Sequence, residues 1–351
     1  MPMTTRAAIQ TASGQPLIID ELDLPDPRPD QAVLKLLASG ICHSQVHELH
    51  DGRTRPTAFG HEATGVVVKA GSAVTRVREG DRAIVTWVRR EPLRMGQDDR
   101  WCGATYRDSP IPWPHFTWSE HTIVSEQYLV PIAAEEPADL CSIIGCAVLT
   151  GAGAVIHTTR VQPGDSVALF GAGGVGLSAV RAAAIRGADP IIAVDLRADK
   201  LRLAREFGAT HAVNASETDP VEAVVDLSGG GVDYAFDAIG VRQTTETINE
   251  VTRPGSMGAG NEGGTAVLIG VPGNEMTLDP RAMLSAHRRY ATSFGASNPD
   301  RDFPIFLRWY RDGLFPLDRL VTDRYRLEQI NEACAALKAG EVMGRAIMEY
   351  E

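Results

Sequence analysis

The sequence predicts an α/β protein of two domains, one rich in short strands and one built on a doubly wound parallel sheet. Three observations carry this prediction. At 351 residues the chain is long enough for two separate cores. Its first third holds short apolar runs broken by turn residues, whereas from about residue 150 strand and helix patterns alternate. A glycine-rich turn joins the first strand and helix of that alternation, as in a sheet with helices on both faces.

The elements follow in order. Residues 31–37, 64–68 and 82–87 read as strands, the last entered from the Gly80-Asp81 turn. Residues 89–118 hold Pro92, Pro110, Pro112 and Pro114, several charges and three tryptophans without periodicity. They read as a long loop or lobe, usually a functional or partner-contacting feature. Residues 166–170 form an apolar strand after Pro163-Gly164-Asp165, and 177–185 a helix. A strand at 191–194 precedes a helix at 199–207, which Gly208 is placed to end. Then come a strand at 211–214, a helix near 221–227, and strands at 232–238 and 265–271. The glycine-rich stretch 255–264 reads as a flexible insertion. Residues 327–338 form an amphipathic helix.

Composition narrows the function. Hydrophobic and charged fractions of 44% and 23% are those of an ordinary globular protein. A formal charge of -11 argues against nucleic acid or an anionic membrane as partner, since both require a basic face. No apolar run is expected to span a bilayer, and MPMTTRAAIQ lacks a signal-peptide core, so a cytoplasmic location is expected. The five cysteines (Cys42, Cys102, Cys141, Cys146 and Cys334) are too few and scattered for a disulfide scaffold. A functional cysteine here is a ligand or a nucleophile.

The run Gly171-Ala172-Gly173-Gly174-Val175-Gly176 follows a strand and opens a helix. Its first glycine permits the tight turn, the second lets backbone approach a pyrophosphate, and the third lets helix and strand pack closely. The helix N-terminus offers unpaired N–H groups to the phosphates. Asp195 ends the next strand, where a carboxylate binds both ribose hydroxyls of NAD and repels the 2′-phosphate of NADP. Arg197, two residues on, is placed to soften that preference. The bland alternative is a glycine turn in a domain that binds nothing.

Three further segments carry soft donors: Gly40-Ile41-Cys42-His43-Ser44-Gln45-Val46-His47, Gly60-His61-Glu62, and Ile144-Gly145-Cys146 with Thr150-Gly151 after it. In order and spacing they resemble the zinc-containing alcohol dehydrogenases of the medium-chain dehydrogenase/reductase superfamily. The likeness extends to Leu268-Ile269-Gly270-Val271-Pro272 and to Gly344-Arg345. It implies a GroES-like catalytic domain over 1–147 and 295–351 and a Rossmann NAD-binding domain over 148–294.

The resemblance also implies roles. Cys42, His61 and Cys146 would hold one catalytic zinc, a Cys₂His set with an open fourth position known from alcohol dehydrogenase itself. Individually, Cys42 and Cys146 read as buried small hydrophobes and His61 as a structural histidine; jointly, ahead of a dinucleotide fold, they favour metal. Ser44 would contact the substrate oxygen and start a proton relay that His47 passes to water, while His43 stands where a cation often meets the pyrophosphate. Glu62 would assist ligand exchange beside the metal, or else is a buried charge paired with an arginine. Thr150, Val271 and Arg345 join the glycine run and Asp195 as coenzyme contacts. Trp87, Trp118 and Phe294 would line an apolar substrate pocket, each with ordinary core as its alternative. The substrate is then an apolar or aromatic alcohol, or the matching aldehyde or ketone. A homodimer or homotetramer is expected, joined by pairing of strand 265–271 with its copy.

Two departures stand out. Residues 89–118 contain only Cys102, so the common structural Cys₄ zinc has no ligands there, and packing of Trp101 and Trp113 is expected to hold the lobe. Gln45 stands where the family usually has an aspartate supporting the zinc-bound histidine. The rival readings are a zinc-free quinone or enone reductase of the same superfamily and a catalytically idle NAD(H)-binding protein.

Overall fold

The computed structural model describes residues 3–93, 101–258, 262–273 and 275–350. They pack into two units. The first comprises Met1–Cys146, Asn298–Arg308 and Leu317–Glu351, the second Ala147–Ser297 and Trp309–Pro316.

The first unit is built on two sheets. One pairs β1 (Met3–Gln10) with β2 (Ile18–Leu24) and with β4 (Thr57–Ala58). The other centres on β3 (Gln31–Ile41), with β5 (Ala63–Ala70) and then β6 (Arg82–Val85) on one side. Strand β3 buries nearly every side chain because it is flanked by other strands along its whole length. It runs four residues beyond the predicted 37, through Gly40 and Ile41.

Of the lobe, residues 94–100 lie outside the described residues, and 101–118 are more ordered than a loop. Here β7 (Thr105–Tyr106) and β8 (Ser109–Pro110) form a hairpin whose turn residues Arg107 and Asp108 both have positive φ, +48° and +65°. That mirror-image turn matches the strand twist, but neither turn residue is the expected glycine or asparagine, so no sequence signal announced it. The lobe is not held by Trp101 and Trp113, which are 44% and 36% exposed. Cys102, Ala104, Tyr106, Ile111 and Phe116 pack instead with Leu22 and Leu24 in one cluster. Trp118 is likewise corrected. It is fully buried beside Phe59 (ring centroids 5.8 Å apart) with Ile41 and Met348, and its indole N–H donates to Gly40 O at 3.2 Å. It is core rather than pocket wall.

Two strands follow in the first unit, β9 (His121–Ser125) and β10 (Leu129–Ile132), paired with β3 and β6. Among the described residues, 138–158 are the one segment that departs from the expectation of no membrane-length apolar run. The segment is long and apolar enough to cross a membrane, yet most of it is buried inside the protein, so this is a core helix.

The second unit is a six-stranded parallel sheet. Its order is β13 (His211–Asn214), β12 (Ile191–Asp195), β11 (Val167–Phe170), β14 (Tyr234–Asp237), β15 (Thr265–Leu268) and β16 (Arg289–Thr292). The order reverses beside β11, which is the switch point where such sheets bind ligands. Strand β15 lies between β14 and β16, so 265–271 is not an edge; the edges of the sheet are β13 and β16. The sequence hid β16 because none of its side chains is fully buried. A helix over Arg242–Glu250 also escaped, since RQTTETINE holds a single apolar residue, Ile248, and its buried face is otherwise polar. Residues 309–316, expected in the catalytic domain, belong to this unit: Trp309 stacks on Phe315, which meets Phe207 edge-on. Of the stretch 255–264, residues 259–261 lie outside the described residues.

Trp118→Ala should cost about 3–5 kcal/mol, as for a large buried aromatic. Urea unfolding of both forms measures it, and a loss near zero would return Trp118 to a pocket wall.

Candidate active site

Strand register brings the three donor segments together. Ser39 near the end of β3 pairs with Ala63 at the start of β5, and Ala63 pairs with Val85 at the end of β6. Cys42 follows β3 and His61 precedes β5, so both emerge at one end of the sheet. Thr86, just after β6, donates its hydroxyl to Gly145 O at 2.7 Å and so anchors the third segment there. That segment, Ile144–Val148, is a π-helical stretch, a widened turn often found at functional sites.

The result is a cluster in which one ligand atom from each of Cys42, His61 and Cys146 lies within 4.8 Å of the others. Cys42 Sγ and Cys146 Sγ are 3.9 Å apart, and His61 Nε2 is 3.2 Å from Cys146 Sγ. A tetrahedral zinc requires sulfur–sulfur and sulfur–nitrogen spacings of about 3.8 and about 3.5 Å. The donor set therefore fits zinc. The hydrogen bond with Cys146 holds the Cys42 thiol well below its ordinary range against the cost of burial, with Arg345 and His61 adding positive charge. Cys146 is pushed up, first by that same bond and then by burial.

Beneath the cluster lies a buried ion pair. Strand β18 (Arg345–Glu349) runs antiparallel to β3, with Ala346 opposite Ile41. Arg345 Nη2 thereby reaches Glu62 Oε1, with the two side chains 6% and 0% exposed. Burial pushes the Glu62 carboxyl up, and the Arg345 guanidinium pulls it back. Gly40 is required here, because a Cβ would overlap the Glu62 carboxyl. Of the two readings of Glu62, the structure shows the paired one. Arg345, expected at the coenzyme, is here paired with Glu62.

Ser44 and His47 lie on α1 (His43–Glu48). Ser44 Oγ donates to Cys42 Sγ at 3.2 Å, which sets it at the rim of the cluster. His47 is exposed, its ring 5.2 Å from that of His43. Trp87 is half-buried in this unit. Two neighbours were missed by sequence reasoning. Glu48 accepts from Gln45 Nε2 at 2.8 Å and was readable as the carboxylate one turn on. His115 is buried against Tyr128, and burial, then the charge on His61, bring its pKa down to about 3. No local signal ties position 115 to position 61.

The second unit shows the dinucleotide signature in full. The helix α4 (Gly174–Ile185) starts at the end of β11, with Gly173 as its N-cap. Gly171 has φ +95°, and a Cβ on Gly176 would overlap Gly171 O, so the turn closes only with glycine there. Space beside Gly173 is open. Val175 occupies the helix's first turn. Asp195 ends β12 and accepts from the Ala172 and Arg197 amides at 2.8 and 3.1 Å. The Arg197 side chain reaches Asp199 at 2.5 Å. Thr150 is buried with its hydroxyl unpartnered, while Val271 and Phe294 are 51% and 74% exposed.

Arg345→Met should destabilise the protein by about 3–5 kcal/mol, because it strands Glu62. The loss should grow as pH rises above the ordinary carboxylate range. With its pKa raised by burial, Glu62 would hold a proton in the folded state that the unfolded chain has released, so stability falls as pH rises. Urea unfolding across that rise in pH measures it; a flat profile would contradict the pairing.

Comparison with known proteins agrees with both units. Residues 28–134 match the alcohol dehydrogenase GroES-like domain, and residues 174–312 match the zinc-binding dehydrogenase domain. The chain is 31% identical to an S-(hydroxymethyl)glutathione dehydrogenase of Paracoccus denitrificans, over 99% of this chain and 100% of that protein. It is 30% identical to a geraniol dehydrogenase of Castellaniella defragrans, over 97% and 96%. Its structure is similar to that of benzyl alcohol dehydrogenase from Acinetobacter calcoaceticus, with TM-score 0.88, 26% identity and coverage of 99% and 100%. With this likeness running almost from end to end, the chain belongs to the zinc-dependent alcohol dehydrogenases of the medium-chain superfamily, oxidoreductases with a GroES-like and a nucleotide-binding domain.

Proposed function

We propose that the protein transfers hydride between an alcohol and NAD, using one catalytic zinc held by Cys42, His61 and Cys146. The observation that carries this reading is the convergence of those three donors at zinc spacing. Bound there, zinc would act as a Lewis acid that polarises the substrate oxygen and lowers the alcohol's pKa. The protein's own residues handle the proton. Ser44 stands at the rim of the cluster, and His47 lies three residues on along the same helix face, open to water. Their order supports a relay from substrate oxygen to Ser44, to His47, to solvent.

NAD is the coenzyme this chain favours. Gly171, Gly173, Gly174, Val175 and Gly176 would receive the pyrophosphate, with Thr150 and Val271 beside the coenzyme. Asp195 would bind the ribose hydroxyls. Because Arg197 is engaged by Asp199, it is not poised to welcome a 2′-phosphate. Trp87 and Phe294 support an apolar or aromatic alcohol, and relatives named for geraniol and benzyl alcohol fit that class. The open edge of β16 supports self-association, the strand expected for it being interior.

Protein purified without added metal should carry one zinc per subunit and oxidise benzyl alcohol with NAD. Cys42→Ala and Cys146→Ala should lose zinc and turnover together; a fully active, zinc-free variant would overturn the reading, and two zincs would reveal a second site. Asp195→Ala should raise the KM for NAD about 10- to 100-fold, through loss of charged hydrogen bonds of about 1.5–3 kcal/mol. Steady-state kinetics with NAD and NADP measures this; an unchanged KM for NAD would remove Asp195 from the ribose site.

A further inference from the structure

Gln45 ties two of the donor segments together. Its backbone N–H donates to Cys42 O at 3.1 Å, so it closes the first turn after that cysteine. Its side-chain Oε1 accepts from the backbone N–H of Gly60, the residue before His61. Gln45 is 6% exposed, which shields both bonds from water. The bond to Gly60 works only with the amide turned one way. Rotated by 180°, the amide would present its NH₂ to another N–H. Glu48 fixes the choice: its Oε2 accepts from Gln45 Nε2 at 2.8 Å, and a carboxylate can only accept. Glu48 is itself pinned, because Arg53 Nη2 donates to its backbone O at 2.7 Å while Arg53 Nε pairs with Asp51 at 2.8 Å.

We propose that Glu48 is a positioning residue for the metal centre, holding Gln45 in the one orientation that clamps the Cys42 and His61 segments at ligand spacing. This rests on the zinc reading of the cluster. The physical content is preorganisation. Metal affinity depends on the donors standing in place before the ion arrives, and outer hydrogen bonds of this kind are typically worth about 10- to 100-fold in metal affinity. Glu48 touches neither substrate nor coenzyme on this account and acts only through Gln45.

The test is a double-mutant cycle read by zinc retention, with Glu48→Ala, Gln45→Met and the double variant titrated against a chromophoric chelator. Methionine fills Gln45's volume without polar atoms. Each single change should weaken zinc retention by about tenfold or more, and the double variant should be no weaker than Gln45→Met alone, because both act through one contact. Cobalt put in place of zinc should show shifted d–d bands in Glu48→Ala, a change of ligand geometry that loss of bulk stability does not produce. Glu48→Ala with wild-type zinc retention overturns the proposal, as do effects that multiply in the double variant. Should Gln45→Met fail to fold, retention and cobalt spectrum of Glu48→Ala still decide. Wild-type protein that binds no zinc would overturn the metal reading itself, an outcome distinct from a zinc-binding wild type matched by Glu48→Ala.

Discussion

The Cys42–His61–Cys146 cluster depends on the register of three strands. Because Ser39 lies opposite Ala63, and Ala63 opposite Val85, the chain segments that leave β3, enter β5 and leave β6 share one end of a sheet. Side-chain period in a strand is two, so a slip of one residue would turn Ser39 and Ala63 to the opposite face and separate the ligands. Two irregularities in the β3–β5 pairing, near Val33 and Leu36, adjust the strand upstream and leave the Ser39–Ala63 pair in place. Bulges of this sort re-aim side chains next to sites.

Around that register the protein concentrates charge where it is costly. Glu62 and Arg345 are enclosed, and the pair persists because each neutralises the other and Gly40 leaves room for the carboxyl. A buried pair contributes little net stability, but losing either partner is expensive, so it fixes geometry more than it adds energy. Arg345 also adds positive charge beside Cys42 and so favours its thiolate. One cation thus serves the carboxylate and the sulfur, and β18 carries it to both.

The second unit uses backbone rather than charge. Its glycine turn closes because Gly176 has no Cβ to meet Gly171 O, and the helix behind it presents free N–H groups. Asp195 holds this turn from the next strand through the Ala172 amide while remaining at the strand end where a ribose would lie. Local chain geometry alone makes this site, which is why it reads so directly from sequence.

The sequence by itself determined what depends on near neighbours. The glycine run, Asp195 at a strand end, the alternating elements from 166 to 268 and the three donor segments are all patterns within a few residues, set by backbone dihedrals and side-chain period. Tertiary structure decided what depends on distant partners. Arg345 meets Glu62 across 283 positions, His115 comes beside His61, and Trp118 is drawn into the core with Phe59 and Met348. The lobe is packed by Cys102 and Phe116 rather than its two more exposed tryptophans, and β16 rather than β15 is an edge strand of the sheet. These are choices among surfaces that a chain pattern leaves equivalent. A tryptophan reads the same whether it faces a pocket or a core, and only the packed fold assigns its neighbours.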